Sequence, residues 1–169
     1  AAQLQAMGDV IRHRGPDAGE IYSDNSVGLC HRRLAIIDLS AAGVQPMKSS
    51  DERYVIVFNG EIYNYQQHRQ QLAEEGYQFR TQTDTEVILA LYAKHGVDCL
   101  QYLDGMFAFA LWDKVQQQLF IARDRIGKKP LYYRYTKQDI AFASELKSLM
   151  VLDGFEKKIR VDAVYDFFA

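Results

Sequence analysis

Long apolar runs, net charge and cysteine are all scarce in this sequence, and each scarcity removes a class of function. No apolar run approaches the ~18 residues of a membrane span. Twenty Lys and Arg stand against 22 Asp and Glu, for a formal net charge of -2. That near-neutral balance leaves no electrostatic footprint for nucleic acid. The two cysteines, Cys30 and Cys99, lie far apart and show no metal-ligand spacing. Two free thiols among so many apolar residues fit a reducing compartment, which makes the cytoplasm the expected location. No Gly-x-Gly-x-x-Gly appears, so a dinucleotide fold has no support. There is no internal repeat, no low-complexity segment, and no signal or transit peptide. The first residues, Ala1-Ala2-Gln3-Leu4-Gln5-Ala6-Met7, read as a helix already under way with no initiator Met. The gene is therefore expected to begin upstream.

What is present describes an ordinary globular domain. The 169 residues are 48% hydrophobic and 25% charged, enough for one core. Eleven Tyr and nine Phe suit a β-rich interior. Periodicity predicts a helix over 1–12, strands at 20–22 and 27–31, and a nearly continuous apolar strand at 33–39. Tyr54–Phe58 is the clearest buried strand, ended by Asn59-Gly60. A helix capped by Asn64 follows, with Gly76 just past its end, then a short strand at 77–81. Thr83-Asp84-Thr85-Glu86 has the pattern of a capping box before a helix reaching His95. Residues 97–103 form a short helical segment. Strands at 106–113, 118–124, 131–135 and 140–144 read as four successive antiparallel strands, with a short helix at 145–150. Residues 1–152 form one domain. Residues 153–169 are a linker and a helix whose apolar side needs something to pack on. Strands joined by short connections around two central helices predict an α+β fold of antiparallel sheets covered by helices.

Four constellations can carry chemistry. Arg12-His13-Arg14-Gly15-Pro16-Asp17 is a helix end and turn, or the rim of a site. Arg33 opens an apolar strand. It is either a surface arginine or a planar fork for a carboxylate. Asn59-Gly60 is a hairpin signal, or a side-chain amide and a backbone N–H converging on one oxygen, as in an oxyanion hole. Thr83 caps a helix and leaves Asp84 at its start, where a carboxylate can hold an ammonium group. Each signal is weak alone. Together they meet the needs of a free α-amino acid attacked at its side-chain carbonyl, and glutamine fits that description.

Six motifs occur in order: His13-Arg14-Gly15-Pro16-Asp17; His31-x-Arg33-Leu34-Ala35-Ile36; Asn59-Gly60-Glu61-Ile62-Tyr63-Asn64; Asp104-Gly105-Met106-Phe107-Ala108-Phe109-Ala110; Arg123-Asp124-x-x-Gly127-x-x-Pro130-Leu131-Tyr132; and Ala143-Ser144-Glu145-x-Lys147. The series, spanning about residues 7 to 150, resembles the glutaminase domain of asparagine synthetase, a class II glutamine amidotransferase. The resemblance implies the N-terminal-nucleophile hydrolase fold, a four-layer αββα sandwich of antiparallel sheets. Measured against that fold, the first strand is missing here. It also implies that an N-terminal cysteine attacks the glutamine amide with its own α-amino group as base, forming a thioester and releasing ammonia. By the same resemblance Arg33 holds the α-carboxylate, and Asp84 with Glu61 holds the α-amino end. Asn59 and Gly60 form the oxyanion hole, and the backbone of Leu34, Ala35, Ile36 and Ile37 lines the pocket.

The sequence departs from the family at one decisive point, because no Cys-Gly-Ile-like start is present. Cys30 and Cys99 read as inert packing residues. The chain as it stands is expected to be inactive alone. Three expectations compete. The first is the glutaminase half of an ATP-dependent asparagine synthetase, with the nucleophile in a missing first strand. The second is a domain that kept its pocket and lost its nucleophile, acting in binding or regulation. The third is an amidotransferase with another acceptor. The expected partners are glutamine and a C-terminal synthetase domain, which would bring ATP and Mg, with no cofactor or metal in this domain. Neither nucleic acid nor membrane is expected, and a homodimer stays open.

Overall fold

The computed structural model describes residues 2–34 and 43–168. Helix α1 (Ala2–Asp9) passes through a 3-10 turn (Arg12–Arg14) into the hairpin β1 (Ala18–Ser23) and β2 (Gly28–Arg33). Then come β3 (Met47–Lys48), β4 (Tyr54–Ile62), α2 (Tyr65–Glu74) and α3 (Asp84–His95). A 3-10 stretch (Gly96–Tyr102) leads to β5 (Gly105–Asp113) and β6 (Gln118–Arg123). The described chain closes with β7 (Tyr132–Tyr135), β8 (Ile140–Ala143), α4 (Leu146–Met150) and α5 (Val161–Phe168).

All strand pairs are antiparallel. The central sheet runs β3-β4-β5-β6, and two smaller sheets are β1-β2 and β7-β8. Strand alternation divides the core in two. Tyr54, Ile56, Phe58 and Ile62 of β4, with Phe107, Phe109 and Leu111 of β5, pack against α3 and Leu72 of α2. The opposite faces, Val55, Val57, Ala110 and Trp112, pack against Leu29 of β2 and Phe142 of β8. Helices α1 and α4 touch each other and cover the two small sheets. The layers are therefore α, β, β, α, as expected. Across the middle, Trp112 Nε1 donates to Asp24 Oδ2 at 2.8 Å, in the β1–β2 turn, and ties the inner layers together.

Several local expectations are corrected. Asn59-Gly60 does not end β4. The strand pairs without a break through Ile62, with Gly60 opposite Phe107. Glycine is required there by proximity rather than by a turn: a Cβ on Gly60 would lie 2.3 Å from Met106 O and 2.8 Å from Phe107 Cα. Asn64 does not cap α2. Its amide instead clamps the 3-10 stretch, accepting from Asp104 N at 3.1 Å and donating to Tyr102 O at 3.0 Å. Residues 77–81 form no strand, because the Arg80 and Thr81 N–H groups donate to the buried Glu86 carboxylate. The capping box is thus half formed. Glu86 N donates to Thr83 Oγ1 at 3.3 Å, but the Glu86 side chain serves 80 and 81 instead. The four successive strands are two pairs in different layers. Strand β2 ends at Arg33, and the rest of the strand expected over 33–39 lies outside the described residues from position 35. Helix α5 is exposed at every residue, its phenylalanines included. Among the described residues no helix is long and apolar enough to cross a membrane.

Candidate active site

A cavity of about 500 Å³ lies between the two middle layers, walled by α1, β2, β4, β5, β8 and the start of α3. Arg33, Leu34, Asn59, Gly60 and Asp84 all line it. Five of the residues proposed from sequence therefore share one space. Glu61 does not line the cavity. It is exposed, and its charge reaches Asp84 from outside. Ala35, Ile36 and Ile37 lie outside the described residues.

Strand β4 supplies the donors by parity. Phe58 N points away from β5 and donates to Gln45 Oε1 at 2.6 Å. Ile62 N does the same to Asp84 Oδ2 at 3.0 Å. Alternation puts Gly60 N–H on that edge, midway between them. Its pairing partner Phe107 turns its own N–H to Asp124 instead. Gly60 N–H is thereby turned out of the β4–β5 ladder. The Asn59 side chain follows Val57 onto the inner face. Its Nδ2 is sealed from solvent and has no partner among the described residues. Buried donors without partners are rare in folded proteins and costly. Asn59 Nδ2 is one, and the Gly60 N–H is its neighbour in sequence.

The charged ends come from β2 and α3. Arg33 is 9% exposed. Its guanidinium lies over Gly43, where a Cβ would stand 2.5 Å from Arg33 Nη2 and 3.1 Å from Thr83 Cγ2. Glycine at 43 lets the arginine settle beside the start of α3. Thr83 caps that helix, which places Asp84 in its first turn. Burial raises the Asp84 pKa above its usual value, despite backbone hydrogen bonds that work the other way. A cation arriving beside Asp84 would relieve that cost. A guanidinium beside the start of α3 and a carboxylate in its first turn suit the carboxylate and ammonium carried on one α-carbon.

Two residues not singled out for the site from sequence also line the cavity. Gln45 is buried, bridging Phe58 N and Thr85 Oγ1. It precedes Pro46 across a cis peptide bond. His31 sits two residues before Arg33, and its Nε2 lies 3.1 Å from Phe58 O. Burial above all pushes its pKa down to about 4. The sequence signals were its place at the head of the His31-x-Arg33 motif and its alternation with Leu29 and Arg33 on one strand face.

Both cysteines are poor nucleophiles. Burial pushes the Cys99 thiol up to about 11. Cys30 lines the cavity, but its sulfur faces α1, where a Cβ on Gly8 would lie 2.5 Å away, and burial raises its pKa too. Other motif residues build the rim. Glu145 accepts from Arg14 Nη1 and meets His13 Nε2, both at 3.1 Å, and pairs with Lys147 at 3.0 Å. These partners, Lys147 first, hold its pKa down to about 2. Two motifs about 130 residues apart thus join where Arg14 reaches the cavity. Asp124 gathers the N–H groups of Phe107, Lys128 and Lys129 and shapes the turn that brings Lys129 and Leu131 to the wall.

Comparison with known proteins places this geometry. A family profile described as a glutamine amidotransferase domain matches residues 1–169. The chain is 48% identical over 148 residues, 88% of its length, to asparagine synthetase [glutamine-hydrolyzing] 1 of Bacillus subtilis (strain 168). It is 43% identical over 166 residues, 97% of its length, to amidase chry2 of Gibberella zeae. It spans 23% and 24% of those two proteins. Among solved structures, the glutamine phosphoribosylpyrophosphate amidotransferase of B. subtilis, complexed with ADP and GMP, superposes with a TM-score of 0.73 at 24% identity. That match covers 88% of this chain and 40% of the other.

Proposed function

The chain belongs to the glutamine amidotransferase domain family, and from that premise we propose that its cavity binds L-glutamine and hydrolyses the side-chain amide to supply ammonia for asparagine synthesis. The observation that carries the reading is the unpartnered Asn59 Nδ2 beside Gly60, whose N–H is turned out of the strand ladder, in one cavity with Arg33 and Asp84. Arg33 takes the α-carboxylate and Asp84 the α-ammonium, with the Glu61 charge reinforcing it from outside. Asn59 Nδ2 and Gly60 N–H then meet the side-chain oxygen as it gains charge under attack. Donors already in place cost no reorganisation at that moment, and one such donor is worth roughly 10²–10³ in rate.

Cys30 and Cys99 do not serve as nucleophile. We assign the attack to an N-terminal cysteine upstream of Ala1, with its α-amino group as base. The thiolate adds to the amide carbon, ammonia leaves, and water releases glutamate from the thioester. Ammonia passes to a C-terminal synthetase domain, which would bind ATP and Mg and amidate aspartate. Among the described residues no three His, Cys, Asp or Glu side chains converge as a metal site. The exposed apolar side of α5 is suited to packing on such a domain.

N-terminal sequencing and intact mass of the whole gene product, with an assay of glutamate release, test this. Expected are a leading cysteine and glutaminase activity. A mature N-terminus without cysteine, and no glutamate release, would leave the second reading, a binding domain without a nucleophile. A third reading, another acceptor, is favoured by the similarity to amidase chry2. Ammonia transfer to a substrate other than aspartate would select it.

A further inference from the structure

A carbonyl oxygen can only accept a hydrogen bond, so the contact of His31 Nε2 with Phe58 O fixes the tautomer: Nε2 carries the hydrogen. In the neutral ring Nδ1 is then an acceptor with its lone pair unshared. That atom is sealed from solvent and has no donor among the described residues. It is the second side-chain orphan among the residues lining the cavity, and its polarity is opposite to that of the first, the Asn59 Nδ2 donor. The two belong to neighbouring strands, since His31 is bonded to the residue just before Asn59.

Resting on the glutamine reading above, we infer that His31 Nδ1 accepts a hydrogen bond from the carboxamide nitrogen of the substrate and so distinguishes glutamine from glutamate. A carboxamide offers one acceptor and one N–H₂, and the wall offers one donor and one acceptor in return. Glutamate has no hydrogen to give at neutral pH. Its second oxygen would set lone pairs against lone pairs in a buried place. A site built to pair with an N–H rejects the analogue that lacks it, because the site's own polar atom is left unpaired.

The spacing agrees. His31 and Arg33 share one face of β2, and the two-residue repeat of a strand is about 6.8 Å. That is close to the separation of the α-carboxylate and side-chain amide in an extended glutamine. Arg33 would hold one end while His31 reads the other. The low basicity of the ring supports the assignment, since a protonated His31 would welcome the carboxylate product. The same acceptor explains release: glutamate loses a bond that glutamine made.

Two substitutions separate this role from a structural one. Gln places its amide nitrogen near Nε2, so His31→Gln keeps the bond to Phe58 O and removes the acceptor. Asn places its amide near Nδ1, so His31→Asn restores an acceptor and gives up the bond to Phe58 O. Thermal-shift titrations with L-glutamine and with L-glutamate on the whole gene product read the preference. In H31Q the preference for glutamine falls by about tenfold or more with Tm unchanged. In H31N the preference survives and Tm drops. An H31Q protein with the wild-type preference overturns the inference and leaves the glutamine reading standing. Equal loss in both variants overturns it as well, because that is what a structural histidine gives. A wild-type protein that binds neither amino acid overturns the glutamine reading and this inference together.

Discussion

Two buried carboxylates sit two residues apart at the start of α3, and the protein treats them differently. Glu86, 1% exposed, accepts from the Arg80 and Thr81 N–H groups and the Thr81 hydroxyl. Asp84, 4% exposed, takes the N–H of Ile62 and still has its pKa raised by burial. One is saturated and faces the outer core, while the other borders the cavity with charge to spare. The same contrast separates Glu86 from the cavity wall. Around Glu86 the buried donors of 80 and 81 are all taken up. On the wall, Asn59 Nδ2 and His31 Nδ1 have no partner among the described residues, and alternation turns Gly60 N–H out of the strand ladder. Hydrogen bonding is complete at the one place and left for a ligand to complete at the other.

The comparison can be broken at several points. The largest effect is expected from Asn59→Ala, which should lower glutaminase kcat by roughly 10²–10³ with KM changed only a few-fold. A KM increase alone would make Asn59 a binding residue instead. Next, Glu86→Ala should lower stability by about 3 kcal/mol in denaturant melts, because it strands two N–H groups and a hydroxyl. Glutamine affinity of the folded fraction should hold. Asp84→Asn should do the reverse, weakening glutamine binding at least tenfold without lowering the Tm of the ligand-free protein. If both variants fail in the same way, the division of labour is wrong.

A pH titration sharpens the point. A carboxyl whose folded pKa is raised keeps its proton longer folded than unfolded. Its contribution favours the fold at low pH and is lost as pH rises from the usual 3.8 through the raised value. Tm plotted against pH should therefore bend downward over that window in the wild type and less so in D84N, while glutamine affinity climbs across it. The smallest effect is expected from Gly43→Ala. Its new methyl must push the Arg33 guanidinium aside, so glutamine affinity should fall a few-fold by calorimetry with Tm nearly constant.

The layers, the helices α1 to α4 and the six motifs were all legible in the sequence, because alternation and caps are local signals. Arg33, Asn59, Gly60 and Asp84 were legible by chemistry, but their geometry was not. Asn-Gly has the same letters whether it turns or runs straight, and only the closeness of Met106 and Phe107 shows why position 60 must be glycine. Gln45 went unnoticed, and His31, though it heads a motif, was given no role in the site, because both roles depend on which β4 amides and carbonyls lack a strand neighbour. The stretch 77–81 misled for a related reason. It has the apolar spacing of a strand, and a single carboxylate, Glu86, takes the place of a partner.

Among the described residues, strand β4 past β3 keeps one flank with no neighbouring strand, and such a flank ordinarily invites a foreign chain to add on and aggregate. Here side chains occupy it in alternation: Gln45 at Phe58 N, His31 at Phe58 O and Asp84 at Ile62 N. A visiting peptide finds no continuous ladder to zip onto there. The open socket that serves catalysis is therefore too short to serve polymerisation.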